Sequence, residues 1–129
     1  MSTSSGKRYF VSPDDLPGYS PANHSGTVNK RLISADTVGA RSLEMILGVA
    51  SKGHGAHAHF HPGIEQVVYL LEGRALAEVD GQSKELGPGE VVFFPAGVAH
   101  VFTATTDTVK CLVIYSPPYG EDPNKGVAA

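Results

Sequence analysis

HAHFHPGIEQ, residues 57–66, puts three of the chain's six histidines on alternate positions and then breaks at Pro62-Gly63. Strict alternation is the pattern of a β-strand, whose successive side chains point to opposite faces. On that pattern His57, His59 and His61 share one face, and Ala58 and Phe60 share the other, apolar one. Two residues of strand advance the chain by ~6.6 Å, so neighbouring imidazoles on one face can lean together on a single ion. Neutral imidazole is a common ligand for zinc, copper, iron and nickel. The competing explanation is a solvent-facing strand that happens to be rich in histidine.

The flanking sequence reads as further short strands. VNKRLIS (28–34) and RSLEMILGVA (41–50) can pair around ADTVGA, and AHAHFH (56–61) follows the loop KGHGA. EQVVYLLE (65–72) is apolar on both faces, so both need cover. Asp80-Gly81 is a strong hairpin signal between ALAEV and SKEL. Gly87-Pro88-Gly89 suits a type II turn, and Phe94-Pro95-Ala96-Gly97 suits a type I turn before HVFTA. VKCLVIY ends at Pro117-Pro118. No window has a helical period. Short strands with Gly/Pro turns in a chain of 129 residues predict an all-β, single-domain antiparallel barrel or jelly roll. Residues 1–27 are expected to form a partly disordered arm, 28–117 the barrel and 118–129 a loose polar tail.

A second histidine-bearing stretch, GEVVFFPAGVAH (89–100), resembles one of the two motifs of the cupin superfamily. That motif runs Gly, five residues, Pro-x-Gly, two residues, His, three residues, Asn. Gly89, Pro95, Gly97 and His100 match it, and Ala104 stands in the Asn place. The first motif runs Gly, five residues, His-x-His, three or four residues, an acidic or amide ligand, six residues, Gly. Gly53, His59, His61, Gln66 and Gly73 fit that spacing. The resemblance implies a double-stranded β-helix barrel and a mononuclear site in which His59, His61, Gln66 and His100 hold one divalent transition metal, Fe, Mn, Ni or Zn. It leaves the reaction open, because this fold hosts many chemistries.

Glu65 and Gln66 are strand neighbours and face opposite ways, so only one can reach such an ion. Glu65 is the better donor, but the spacing to Gly73 favours Gln66. An amide in place of a carboxylate leaves a divalent ion with its full charge, which suits an anionic or chelating ligand. His57 is a candidate general acid or base, or a plain surface histidine. Phe102, Met45 and Tyr115 are candidates for lining a substrate cavity, with Leu47 and Val49 beside them. Arg41, Arg74 and Tyr69 are weaker candidates for orienting a carboxylate. His24, in NHSGT, reads as part of a turn, and His54 as a solvated loop residue.

Composition limits the partners. The formal charge of −3 provides no electrostatic basis for binding nucleic acid or an acidic membrane. A lone cysteine, Cys111 in an apolar run, suits a reducing compartment and a small buried hydrophobe. No apolar run approaches the ~20 residues of a membrane span, and MSTSSGKRYF has no signal-peptide core, so the cytoplasm is the default. There is no G-x-S-x-G, P-loop or dinucleotide fingerprint, so any chemistry should belong to the metal. The expected activity is dioxygenase or isomerase/lyase chemistry on a small organic molecule; the alternative is a module that binds a metal or metabolite without turnover. A homodimer is expected, because a chain this small cannot cover every sheet face.

Overall fold

Ser34 ends the first long strand and starts a single helical turn. Its hydroxyl accepts from Thr37 N–H, and Thr37 Oγ1 accepts from Ser34 N–H, a reciprocal capping box. Gly39 closes the turn in the left-handed region at φ 77°. The computed structural model describes residues 9–20, 24–120 and 127–128, with the backbone alone at 24, 25, 56–60, 127 and 128. Its strands are β1 (His24–Ile33), β2 (Glu44–Phe60), β3 (Glu65–Glu72), β4 (Ala75–Val79), β5 (Gln82–Leu86), β6 (Val91–Phe94), β7 (His100–Ala104), β8 (Thr108–Ser116) and β9 (Val127–Ala128), with helix α1 (Ala35–Val38) between the first two.

The fold is all-β, a nearly closed antiparallel barrel with strand order β5-β4-β7-β2-β8-β3-β6. β1 and β9 add to β2 from outside that path. β2 holds the two halves together. Residues 44–51 pair with β8, and residues 55–59 pair with β7. Two separate strands joined by the loop KGHGA were expected here; instead the ladder runs through. The chain turns the corner inside the strand, at Gly53 (φ 79°) and Gly55 (φ 143°), where only glycine is comfortable. His54 is exposed, in a strand rather than a loop. His24 opens β1 opposite Ala56 rather than lying in a turn, and its side chain is outside the described ones.

Alternation sets the interior. β3 buries Gln66, Val68 and Leu70, β7 buries His100, Phe102 and Ala104, and β8 buries Val109, Cys111, Val113 and Tyr115. The Asp80-Gly81 hairpin forms as expected, both residues having positive φ. The Gly87–Glu90 turn closes by Glu90 N–H to Gly87 O, with Gly89 at φ 86°. The later turn is shifted by one residue from expectation. It closes from Val98 N–H to Pro95 O, with Gly97 third at φ 74°, because only glycine accepts that position cheaply. Thr105 and then Arg74, both hydrogen-bonded to Glu85, hold that exposed carboxyl below the usual range; Gly87 N–H and Lys84 do the same for Glu90.

Residues 127–128 pair with β2 at His59 and Phe60. Among the described residues, no helix is long and apolar enough to cross a membrane.

Candidate metal centre

His100 is the first residue of β7 and is 3% exposed. Its Nδ1 lies 3.2 Å from the Val98 carbonyl oxygen. A carbonyl can only accept, so the ring donates from Nδ1, and the neutral imidazole keeps its lone pair on Nε2. Fixing a ring by its other nitrogen is how proteins orient histidine ligands. The flat face of the ring stacks on Phe94, with centroids 4.0 Å apart and planes 3° apart.

His61 follows the end of β2 and is also 3% exposed. Its ring centroid lies 5.3 Å from that of His100. Its carbonyl accepts from Ile64 N–H and from Gly97 N–H, at 3.3 and 3.1 Å, which ties the Pro62-Gly63 bend to the Pro95–Val98 turn. The two histidine-bearing stretches are thus joined through backbone, and the turn glycine sets their spacing.

Gln66 lies on β3 beside Tyr115 of β8 and Phe94 of β6. It is 7% exposed and lines an interior cavity, whereas Glu65 points to solvent. Gln66 Oε1 is buried and has no hydrogen-bond partner among the described residues. An orphaned buried acceptor costs about 1–3 kcal/mol, a cost that a cation in front of it would offset. A cation therefore fits this group of residues, with imidazole and amide donors suited to zinc, nickel, iron or manganese.

The backbone register places His59 directly across from His100. One extra residue is inserted on β2 between Ala56 and His59, so the two-residue period does not run unbroken through His57. The side chains of His57 and His59 are outside the described ones. Among the described residues, no three His, Cys, Asp or Glu groups gather to hold an ion. The described part of the set is two histidines and an amide.

The cavity holds about 460 Å³ of empty space counted with its open mouth. Phe102 and Tyr115 are among its lining residues. Met45 is not. The cavity face of β2 is Gly48 and Ala50, with buried Ile46 in the same alternation, while Met45, Leu47 and Val49 point the other way. Choosing the most apolar residues of β2 picked the wrong face, because a cavity wall needs small ones. Arg74 is engaged with Glu85, and Arg41 and Tyr69 are exposed, so none of the three faces the cavity. Besides Gly48 and Ala50, the sequence reading missed Thr27, Asn29 and Cys111 as cavity residues. Alternation in the sequence pointed the other way for Thr27 and Asn29: the apolar residue between them, Val28, is the exposed one.

One further contact supports the site. Buried Glu44 accepts through Oε1 from Tyr119 N–H and Gly120 N–H, at 2.9 and 2.8 Å. That holds the Tyr119 ring 4.4 Å from His61. Glu44→Ala is expected to cost about 1–3 kcal/mol by stranding those donors, and Glu44→Gln, which keeps an acceptor, clearly less. Urea unfolding of the two variants checks this.

Residues 46–115, more than half of the chain, match the family described as Cupin domain. The chain belongs to the cupin family. This cupin is 30% identical to protein SchB of Streptomyces halstedii over 91% of its own length and 83% of that protein. It is 29% identical to polyketide synthase CurC of Streptomyces cyaneus, over 87% of this chain and 73% of that one. Among solved structures, the polyketide cyclase RemF of Streptomyces resistomycificus is similar with a TM-score of 0.75 and 25% identity, over 95% of this cupin and 87% of that chain.

Proposed function

We propose that this cupin is a metal-dependent enzyme acting on a small, polyoxygenated, polyketide-like molecule, by redox-neutral ring closure or isomerisation. The observation that carries this is buried Gln66 Oε1, lacking a partner among the described residues, at an apolar cavity whose wall residues Tyr115 and Phe94 pack their rings against buried His61 and His100. The likeness to polyketide proteins supplies the substrate class. His59, His61, Gln66 and His100 would hold the ion, which when bound supplies a Lewis acid for a carbonyl oxygen.

The chain's own residues do the rest. The His100 hydrogen bond to Val98 fixes the ring and leaves its lone pair on buried Nε2. Gln66 brings an oxygen without a charge, so the site retains more pull on substrate oxygen than a carboxylate would allow. Phe94, Phe102 and Tyr115 form a dry aromatic wall for a flat ring system. His57 is proposed as the acid or base. In ring closure a methylene carbon loses a proton and bonds to a carbonyl carbon, whose oxygen takes up a proton; loss of water completes the step. The exposed apolar residues Tyr69, Val91 and Phe93, on facing positions of β3 and β6, support a homodimer.

Protein loaded separately with zinc, manganese, nickel and iron is incubated with a linear poly-β-ketone, and products are weighed by mass spectrometry alongside an oxygen electrode. The expected product has the substrate mass, or that mass less water, with no oxygen uptake, and chelator abolishes it. Oxygen uptake with gain of oxygen atoms would replace this proposal with a dioxygenase.

A further inference from the structure

The cavity has a second polar region, away from Gln66. On β1 Thr27 and Asn29 turn inward, 6% and 2% exposed, and both line the cavity. Asn29 pairs with Gly48 on β2, and Gly48 pairs with Cys111 on β8. A Cβ on Gly48 would lie 2.9 Å from Asn29 Oδ1 and 3.5 Å from Cys111 Sγ, so the bare glycine makes room for the carboxamide. Gln66, by contrast, pairs with Tyr115. Tyr115 and Cys111 are four residues apart on β8, which places the two polar regions about 13 Å apart along the strand. A hydrogen bond of about 2.8 Å at each end leaves about 7–8 Å to be bridged by the ligand's own two oxygens. Between them the wall is Val68, Phe94, Phe102 and Val113.

A carboxamide is a costly choice for an apolar interior, where valine or leucine would fill the same space. A site built to hydrogen-bond a substrate oxygen discriminates strongly against the analogue lacking it. Resting on the function proposed above, we infer that Asn29 is a specificity-determining residue: it reads a second oxygen, hydroxyl or ketone, at the far end of a flat, fused-ring substrate whose first oxygen faces Gln66.

The test uses the metal-loaded full chain and two probes, 2,6-dihydroxynaphthalene and 2-naphthol, with affinities measured by calorimetry. Cys111 is the single cysteine and lines the same cavity, so its labelling by a methanethiosulfonate reports whether a probe is bound there. Wild type is expected to prefer the diol by about tenfold, the worth of one hydrogen bond, and the bound diol should slow Cys111 labelling. Asn29→Ala is expected to reduce the preference to within about twofold, with 2-naphthol affinity and metal content unchanged. Gly48→Ala, which pushes the carboxamide aside without deleting it, should do the same and covers the case of Asn29→Ala failing to fold. A preference that survives in both variants, or a diol that binds without protecting Cys111, overturns the role of Asn29 alone. Failure of both probes to bind wild type overturns the aromatic substrate class and this inference with it.

Discussion

His100→Ala is expected to abolish stoichiometric metal binding. Losing even a group that only orients a ligand costs 10–100-fold in metal affinity, so losing a ligand itself should cost more than about 100-fold. His61→Ala should behave the same way. Gln66→Ala should weaken binding less, because a neutral amide is the poorest donor of the set. Gln66→Glu should tighten it by cancelling one unit of charge, while lowering any Lewis-acid activity. Glu65→Ala is the control: its side chain is exposed, and metal content should be unchanged. Elemental analysis of untagged protein reads the stoichiometry. The rise in melting temperature on adding metal, present in wild type and absent in His100→Ala, reads it independently by linkage. If Glu65→Ala empties the protein and Gln66→Ala does not, the register assigned to β3 as a metal strand is wrong.

The second large effect is on the fold. Gly55→Ala is expected to destabilise the barrel by about 3 kcal/mol or more, combining backbone strain with a steric clash. A Cβ there would sit 2.2 Å from the Phe102 carbonyl oxygen, a backbone atom held in the β2–β7 ladder, and φ is 143°. Neither strand can retreat without losing the register that sets His59 against His100. Gly53→Ala, two residues away, makes the contrast. Its φ of 79° carries the left-handed cost, but among the described residues no atom lies within 4 Å of the added carbon. It should lose only about 1–2 kcal/mol. Urea denaturation of both variants measures the difference; equal losses would show that strain alone, not the close approach of β7, demands glycine at 55.

The barrel was legible because its turns are written in residues with one use. Asp80-Gly81 and Gly87-Pro88-Gly89 form where their backbone preferences place them. The inward sets on β3 and β7 follow from a period of two, which a one-residue slip would invert. The same rule separated Gln66 from Glu65. What was not legible depends on contacts distant in sequence. β2 reads as two strands because Gly53 and Gly55 look like loop residues, yet they serve as a corner in a strand held by β1, β7 and β8. Met45 was chosen over Gly48 because apolar size signals a core, whereas a cavity is bounded by small side chains. Thr27 and Asn29 were missed because polar residues on an outer strand read as solvated until β1 is seen to close over the cavity. The pairing of residues 127–128 with β2 had no local signal at all.

The central claim is that histidines from separate strands and the Gln66 amide converge on one ion. Diffraction from metal-loaded crystals, collected on both sides of the metal absorption edge, tests it most directly. One anomalous peak is predicted inside the barrel, bonded to His59, His61, His100 and the Gln66 oxygen, with nitrogen distances of about 2.0–2.1 Å for zinc. A peak on the surface, or one ligated by Cys111, with His61 and His100 turned away from it, would contradict the account.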